Sequence, residues 1–512
     1  MYTESDSSLS LSIARLSQIN SNHFAIWVTR SAIPGGYVHH DCTWPEKLTQ
    51  LWLAWQEFYS LQKVAFPFAT PDSLPLLFHP EAGESYSTQV MQELGINLWN
   101  WLFSGAINQS LAQSWGMALG QNRSLRIRLE IREPYLITLP WEIIKPSPSK
   151  QSISLHPQIL FSRTTSNVDP LAFVPYRKTL NILLVLGQKE PSNLATDATV
   201  LTQISKLVPS NVPVKLTTLT QPTPAELTEA LDNGDYNIFF YGGHGMTGPN
   251  GGYLLLHPEA VINGTELAQT LVRNHITLAL FNACWGAQSA TCEQQILEQS
   301  SLAEVLLNHG VPAVLGMRDT ISDPEALCFI QAFTKALTGR LPIDHAVRVG
   351  RQQLLTIYKY HQPAWTLPIL YMHPEFDGVL LEPNNAGITE LPDLPLNIEQ
   401  PLFPVACLRP LKNPHKVWPI NGGLMRLGRQ SENDLVIEEK WVSHKHGEIF
   451  CREVLANSGY QYFFKDYSRF GTFISTNGEW QKIHHQEIPL ESGVQLRFGS
   501  LSGQILEFCI ES

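Results

Sequence analysis

No apolar run in this chain approaches the ~18 residues that a membrane-spanning helix needs. The first residues, Met1 to Asp6, are acidic where a secretory leader is basic, and no apolar core follows them. Positive charge is also short. There are 35 Lys and Arg against 46 Asp and Glu, a formal charge of −11. That balance argues against a chain-wide nucleic-acid surface. Cysteine is scarce and odd in number, with seven residues at 42, 284, 292, 328, 407, 451 and 509. None forms a C-x-x-C pair, so neither a zinc site nor a dithiol redox centre is expected. Reduced thiols in a cytoplasmic protein, with no cofactor and no metal, are the simplest expectation. His39, His40, Asp41 and Cys42 carry metal-capable side chains, but neighbours on an extended chain point to opposite faces. Repeats of solenoid type are absent. What is present is bulk: 512 residues, 43% hydrophobic, enough for two to four domains with their own cores.

Two short apolar runs organise the middle of the chain. Tyr236 to Tyr241 leads into Gly242, Gly243, His244 and Gly245. Ile276 to Phe281 leads into Asn282, Ala283, Cys284, Trp285 and Gly286. Continuous runs rich in Ile, Leu and Phe read as strands buried on both faces of a parallel sheet. Ligands in such sheets bind beyond the carboxyl ends of the strands. Neighbouring strands would bring His244 and Cys284 to one rim. A thiol beside an imidazole is the minimum for covalent cysteine catalysis. Gly243 to Gly248 also spells G-x-G-x-x-G, the dinucleotide fingerprint. That motif must open a helix at once. Here Pro249 to Gly252 and then Tyr253 to Leu256 follow, a turn and another strand, so the nucleotide reading is rejected.

Gly-His-Gly after one strand and Asn-Ala-Cys after a later one resemble the CHAT branch of the caspase-like cysteine proteases, in peptidase clan CD. Ser301 to Met317, Asp323 to Ala326, the following helix to Gly339, and Trp365 to Pro368 with Tyr371 are similar to the family downstream. Leu125 to Ile131 and Leu139 to Glu142 are similar to it upstream. The resemblance spans roughly 90 to 375 and implies an α/β caspase-like fold with a parallel-rich sheet. It implies that Cys284 attacks a peptide carbonyl, that His244 protonates the leaving amine, and that the backbone N–H groups of Gly245 and Cys284 form the oxyanion hole. Some basic-specific relatives carry Asp two residues before the cysteine. This chain has Asn282 there, so cleavage after Arg or Lys is not implied.

The chain divides as follows. Residues 1–48 form an N-terminal segment, in which Phe24 to Val28 reads as a strand. Residues 49–175 form an α+β supporting subdomain. Apolar residues at helical spacing from Thr49 to Leu61 predict an amphipathic helix with Thr49 as its N-cap. Leu94 to Met117 predicts one or two more helices. The caspase-like domain covers 176–378, where strands alternate with helices, one of them over Asp197 to Val208. Near its end two helix-start signals coincide. Ser322 and Glu325 form a capping box, and Asp323 with Pro324 forms an N-cap and first helical position. Residues 379–400 carry three prolines and four acidic residues with no basic one, which reads as a solvated linker.

From 401 to 512 the texture changes to short period-two runs broken by turn residues, which predicts an all-β sandwich. Gly428-Arg429 with Asn433-Asp434, Val442 to His446, and Asp466 to Thr472 resemble the FHA phosphothreonine-binding domain. A phosphate wants a guanidinium fork and hydroxyl donors at loop tips. Arg429 and Ser443 are the first candidates, with Lys445, Ser468 and Arg469 as further ones. The family implies a structural role for His446. Phe470 stands where FHA domains commonly have Asn, and His444 where Arg is common. The implied partners are a protein substrate and a phosphothreonine-containing protein, with no nucleic acid and no membrane span. The FHA module would dock the protease on its partner, or binding would release a blocked site. An inactive caspase-like scaffold and a phospho-dependent adaptor are the alternatives.

Overall fold

A computed structural model describes residues 8–16, 22–32, 38–59, 75, 86–172, 176–187, 212–246, 248, 251–282, 291–292, 295–296, 302–318, 321–358, 362–382, 404–411, 416–454, 459–475 and 479–510. Its strands are β1 (Ser8–Arg15), β2 (His23–Arg30), β3 (Val38–Thr43), β4 (Leu125–Ile131), β5 (Ile159–Thr164), β6 (Leu180–Leu186), β7 (Val214–Thr220), β8 (Ile238–Gly242), β9 (Gly245–Met246), β10 (Tyr253–His257), β11 (Ala260–Asn263) and β12 (Leu278–Asn282). A short antiparallel pair, β13 (Thr291–Cys292) and β14 (Gln295–Ile296), precedes β15 (Ala313–Met317) and β16 (Pro368–Met372). The helices are α1 (Glu46–Tyr59), α2 (Tyr86–Leu102), α3 (Gly105–Gly120), α4 (Pro134–Ile137), α5 (Pro224–Asn233), α6 (Gly264–Arg273), α7 (Leu302–Asn308), α8 (Asp323–Thr338) and α9 (Ile343–Ile357).

Eleven strands form one sheet in the order β3-β2-β1-β4-β5-β16-β15-β12-β8-β6-β7. The boundaries drawn at 48 and 175 therefore cut a continuous sheet. The strands β15, β12, β8, β6 and β7 run parallel. Their central members are buried along their length, as the unbroken apolar runs require. β16 runs antiparallel to β15 and parallel to β5, so β4 and β5 end at the opposite edge. In β4 the alternating arginines do not face water. Arg126 pairs with Asp344 of α9 at 2.6 Å, and Arg128 donates to the carbonyls of Pro374 and Phe376.

Local signals held in part. α8 starts with the expected capping box: the Glu325 carboxylate accepts from the N–H and hydroxyl of Ser322. α1 departs from expectation. It begins at Glu46, just past Pro45, so Thr49 lies inside it, and the Thr49 hydroxyl accepts from the Trp44 indole at 3.1 Å. Leu94 to Met117 falls in two helices, α2 and α3. The helix expected over Asp197 to Val208 lies outside the described residues.

Beyond 404 two antiparallel-rich sheets form a sandwich. One carries β17 (Ala406–Pro410), β18 (Trp418–Pro419), β23 (Thr472–Ser475), β24 (Gln481–Ile483), β26 (Gln495–Phe498) and β27 (Leu506–Ile510). The other carries β19 (Leu424–Gly428), β20 (Leu435–Val436), β21 (Gly447–Val454), β22 (Gly459–Asp466) and β25 (Glu487–Leu490). The sandwich does not stand off from the large sheet. One cluster of buried apolar side chains runs through both, with Leu354 and Tyr358 on one side and Ile420, Leu424 and Met425 on the other. Polar contacts follow the same seam. Arg426 bonds Glu325 at 2.7 Å, Tyr358 donates to the Gly422 carbonyl, and Gln362 donates to the Glu432 carbonyl.

Candidate active site and phosphate-reading loops

The two middle strands are in direct register. β8 and β12 lie side by side, and Gly242 is paired with Asn282. Both leave the sheet at the same edge. His244 follows two residues after Gly242 and is exposed. Its backbone is held from two sides: its carbonyl accepts from the Leu255 N–H at 3.0 Å, and the Tyr241 hydroxyl lies 2.7 Å away. Burial pushes the Tyr241 phenol up, so it stays protonated and donates. Glycine is required around this clamp, since a Cβ on Gly187 or Gly243 would overlap the Tyr241 hydroxyl. Gly245 follows in β9, which pairs with β10 of a small separate sheet. Cys284, two residues beyond Asn282 in the sequence, lies outside the described residues.

In the sandwich, three loops converge on Ser443. The Arg429 N–H donates to its carbonyl at 2.9 Å, and the Arg469 N–H to its hydroxyl at 3.0 Å. Arg429 reaches the His444 ring, Nη2 to Nε2, at 2.9 Å. The Arg469 guanidinium lies over the exposed ring of Phe470. Beneath them sits a closed relay. His446 accepts from the Ser443 N–H at Nδ1, its Nε2 meets the Thr472 hydroxyl, and Thr472 donates to Asp466. All three of these side chains are fully buried or nearly so.

Comparison with known families matches the CHAT domain over residues 92–373 and the FHA domain over residues 425–499. The first match covers more than half of the chain. The chain belongs to the CHAT domain family. Its C-terminal sandwich is an FHA domain. No curated protein matches it. Among solved structures, the MEK1 FHA domain is 24% identical over 21% of this chain and 88% of its own, with a TM-score of 0.18. Full-length yeast Pml1p is 23% identical over 20% and 79%, with a TM-score of 0.18. The Slr1951 protein from Synechocystis sp. is 17% identical over 21% and 98%, with a TM-score of 0.17.

Of the residues proposed for the FHA site, Arg429, Ser443 and the Arg469 backbone come together, and Ser468 does not join them. Ser468 is fully buried. Its hydroxyl donates to Asp466 and accepts from the Gly471 N–H, so it braces the loop and has nothing left for a phosphate. Desolvation and the Arg426 charge pull the Lys445 ammonium pK down, with Glu432 opposing. His444 was read from the sequence only as a departure from the family's usual Arg. Its position beside Ser443 was visible, but its contact with Arg429, fifteen residues away, was not. Among the described residues no cluster of His, Cys, Asp and Glu could hold a metal, and no helix is long and apolar enough to cross a membrane.

Proposed function

We propose that this CHAT protein is a cysteine endopeptidase whose targeting or activation is coupled to phosphothreonine recognition by its FHA domain. Cys284 is the nucleophile and His244 the acid that protonates the leaving amine. The backbone N–H groups of Gly245 and Cys284 form the oxyanion hole. The observation that carries the reading is the register of Gly242 with Asn282. The adjacent strands that precede His244 and Cys284 in the sequence end together at one edge of the sheet. The caspase-like character of the CHAT family supports the same chemistry. Arg429 and Ser443 receive the phosphate of a phosphothreonine-containing partner, with Arg469 adding charge at the rim. The setting is the cytoplasm, where the thiol stays reduced.

Exposure of the full chain to an acyloxymethyl ketone, read by intact mass, tests the enzyme. One adduct is expected, absent in Cys284→Ala and slowed in His244→Ala. A folded chain that gains no adduct, or gains it on another cysteine, overturns the peptidase reading.

A further inference from the structure

Side chains of the CHAT domain hold the FHA domain against it. Glu325, 2% exposed, uses one carboxylate for two tasks in two domains. It caps α8 through Ser322, and it binds Arg426 of β19 at 2.7 Å. Burial works against the Arg426 charge, but Glu325 and Asp434 outweigh it and keep the guanidinium protonated. Asp434 also accepts from the Arg426 N–H at 2.8 Å. The loop from Arg429 to Asp434 is therefore held at both ends. At one end Arg429 meets His444. At the other, Asp434 holds Arg426, and the Glu432 carbonyl holds Gln362 of the CHAT domain. Glu325 and Gln362 in turn flank β15 and β16. Gln362 opens the turn Pro363–Thr366 that enters β16, and Thr366 accepts from Arg318 at the end of β15. β15 is the direct neighbour of β12.

Resting on the phosphothreonine reading above, we propose that the FHA domain is a fixed coupling face of the CHAT domain. Occupancy of the Arg429 site is transmitted through Arg426 and Glu432 to Glu325 and Gln362. A phosphate draws Arg429 away from His444 and resets the loop that grips the CHAT domain. Coupling of this kind is reciprocal, so loosening the grip must weaken phosphate binding. Glu325 and Gln362 are positioning residues, since neither touches the phosphate.

The test uses the full chain and the tightest phosphothreonine peptide that it selects from an oriented library, with the dephosphorylated twin as control. Glu325→Gln keeps an acceptor for the Ser322 cap while removing the charge opposite Arg426. Gln362→Ala is a second, milder variant that leaves α8 intact. Each is expected to weaken peptide binding by about fivefold or more. In the wild type, peptide should slow amide exchange at the start of α8, and Glu325→Gln should lose that response. Unchanged affinity in both variants, with unchanged exchange at α8, overturns the coupling and leaves the phosphate reader standing. A wild type that binds no phosphothreonine peptide overturns the reader and the coupling together.

An independent observation concerns two thiols. Cys407 of β17 and Cys509 of β27 are direct cross-strand partners, and no disulfide joins them. Opposed residues of an antiparallel pair share a face with Cα atoms about 4.5–5.5 Å apart, within the roughly 4.4–6.8 Å that a disulfide spans. Arg409 and Glu507 are likewise cross-strand partners, two positions along the same face. The Arg409 guanidinium lies within electrostatic reach of both sulfurs. Cys509 is half-buried and reachable by a small oxidant.

The geometry points to a reversible disulfide formed by a peroxide. The Cys509 thiolate attacks a peroxide oxygen, giving a sulfenic acid and water. The Cys407 thiol then displaces a second water, and two sulfurs are oxidised as one peroxide is reduced. Dilute hydrogen peroxide on the full chain should yield a dithiothreitol-reversible loss of about 2 Da and a linked peptide joining 407 to 509, absent in Cys509→Ser. Oxidation that modifies other cysteines and leaves 407 and 509 unlinked overturns it.

Discussion

The phenolic oxygen of Tyr241 stands 2.7 Å from the carbonyl oxygen of His244 and 2.9 Å from that of Leu255. One buried hydroxyl thus pins the turn that presents the imidazole to the strand that follows it. Tyr241→Phe keeps the ring packing and deletes only the clamp. Stability should fall by about 1 kcal/mol. The rate of acyloxymethyl ketone labelling should fall by about tenfold or more, because small misplacements of a reacting group are expensive in rate. Labelling at the wild-type rate in a folded Tyr241→Phe chain would detach this clamp from the chemistry.

Gly422 carries a second structural prediction. Its φ is +59°, and a Cβ there would overlap Ile357 and stand 2.8 Å from the Tyr358 hydroxyl. Gly422→Ala therefore strains the backbone and wedges the domains apart. A loss of about 1–3 kcal/mol is expected, typical of overpacking. In calorimetry the wild type should unfold in one transition, and the variant should split it, with the FHA transition moving down. A single unshifted transition would count against a close interdomain fit.

The central strands and the shared rim were legible because unbroken apolar runs in a parallel sheet leave few other placements. The FHA loops were legible from three ordered motifs. The seam between the domains was not. Glu325 read as a local capping residue, and nothing in the local pattern singled out Arg426. Their contact joins positions 101 residues apart, and no local pattern encodes it. Ser468 misled for a related reason. A serine in a turn-rich motif looks like a loop-tip donor, and only the fold shows its hydroxyl committed to Asp466 and Gly471. Thr49 looked like a cap because the helical spacing of apolar residues was read only from Thr49 on, whereas the helix starts at Glu46, just past Pro45.

The two classes of FHA residue can be separated by mutation. Arg429→Ala should weaken phosphothreonine-peptide binding by roughly 10–100-fold, the scale of a lost charge-assisted hydrogen bond. Arg429→Lys should not restore it, since an ammonium lacks the planar fork. Ser468→Ala should lower FHA stability by about 1–3 kcal/mol, leaving the Gly471 N–H unsatisfied. Its peptide affinity should change little at temperatures where the domain stays folded. Isothermal titration and thermal melts distinguish the two outcomes.

Glu142 and Arg163 form a fully buried bidentate pair at 2.9 and 3.1 Å. Burial raises the Glu142 pKa, but Arg163, backed by Arg351 and Arg318, outweighs it and holds the carboxyl below its ordinary 4.5. A depressed carboxyl pKa gives stability that is full above the unfolded value and is lost as pH falls through the folded one. Resistance to urea unfolding should therefore fall as pH drops below 4.5. Glu142→Gln leaves Arg163 buried with a neutral partner. It should lose about 3–5 kcal/mol at neutral pH and flatten that acid slope.

His446 gives a pH dependence in a different window. Burial drives its pKa down from 6.5 to about 4, against the opposing pull of Asp466 and the Gly471 backbone. Its Nδ1 accepts from Ser443, so the neutral ring carries its proton on Nε2 toward Thr472. Between pH 6.5 and 4 the unfolded ring takes up a proton that the folded ring refuses. More protons on the unfolded side means that stability rises with pH across that span and falls as it is acidified. The size of the effect is roughly 3 kcal/mol. In a chain carrying labelled histidine, the His446 ring resonance should stay flat from pH 8 to about 5. A midpoint near 6.5 for His446 would mean that the ring is hydrated and the Ser443–Thr472 relay is open.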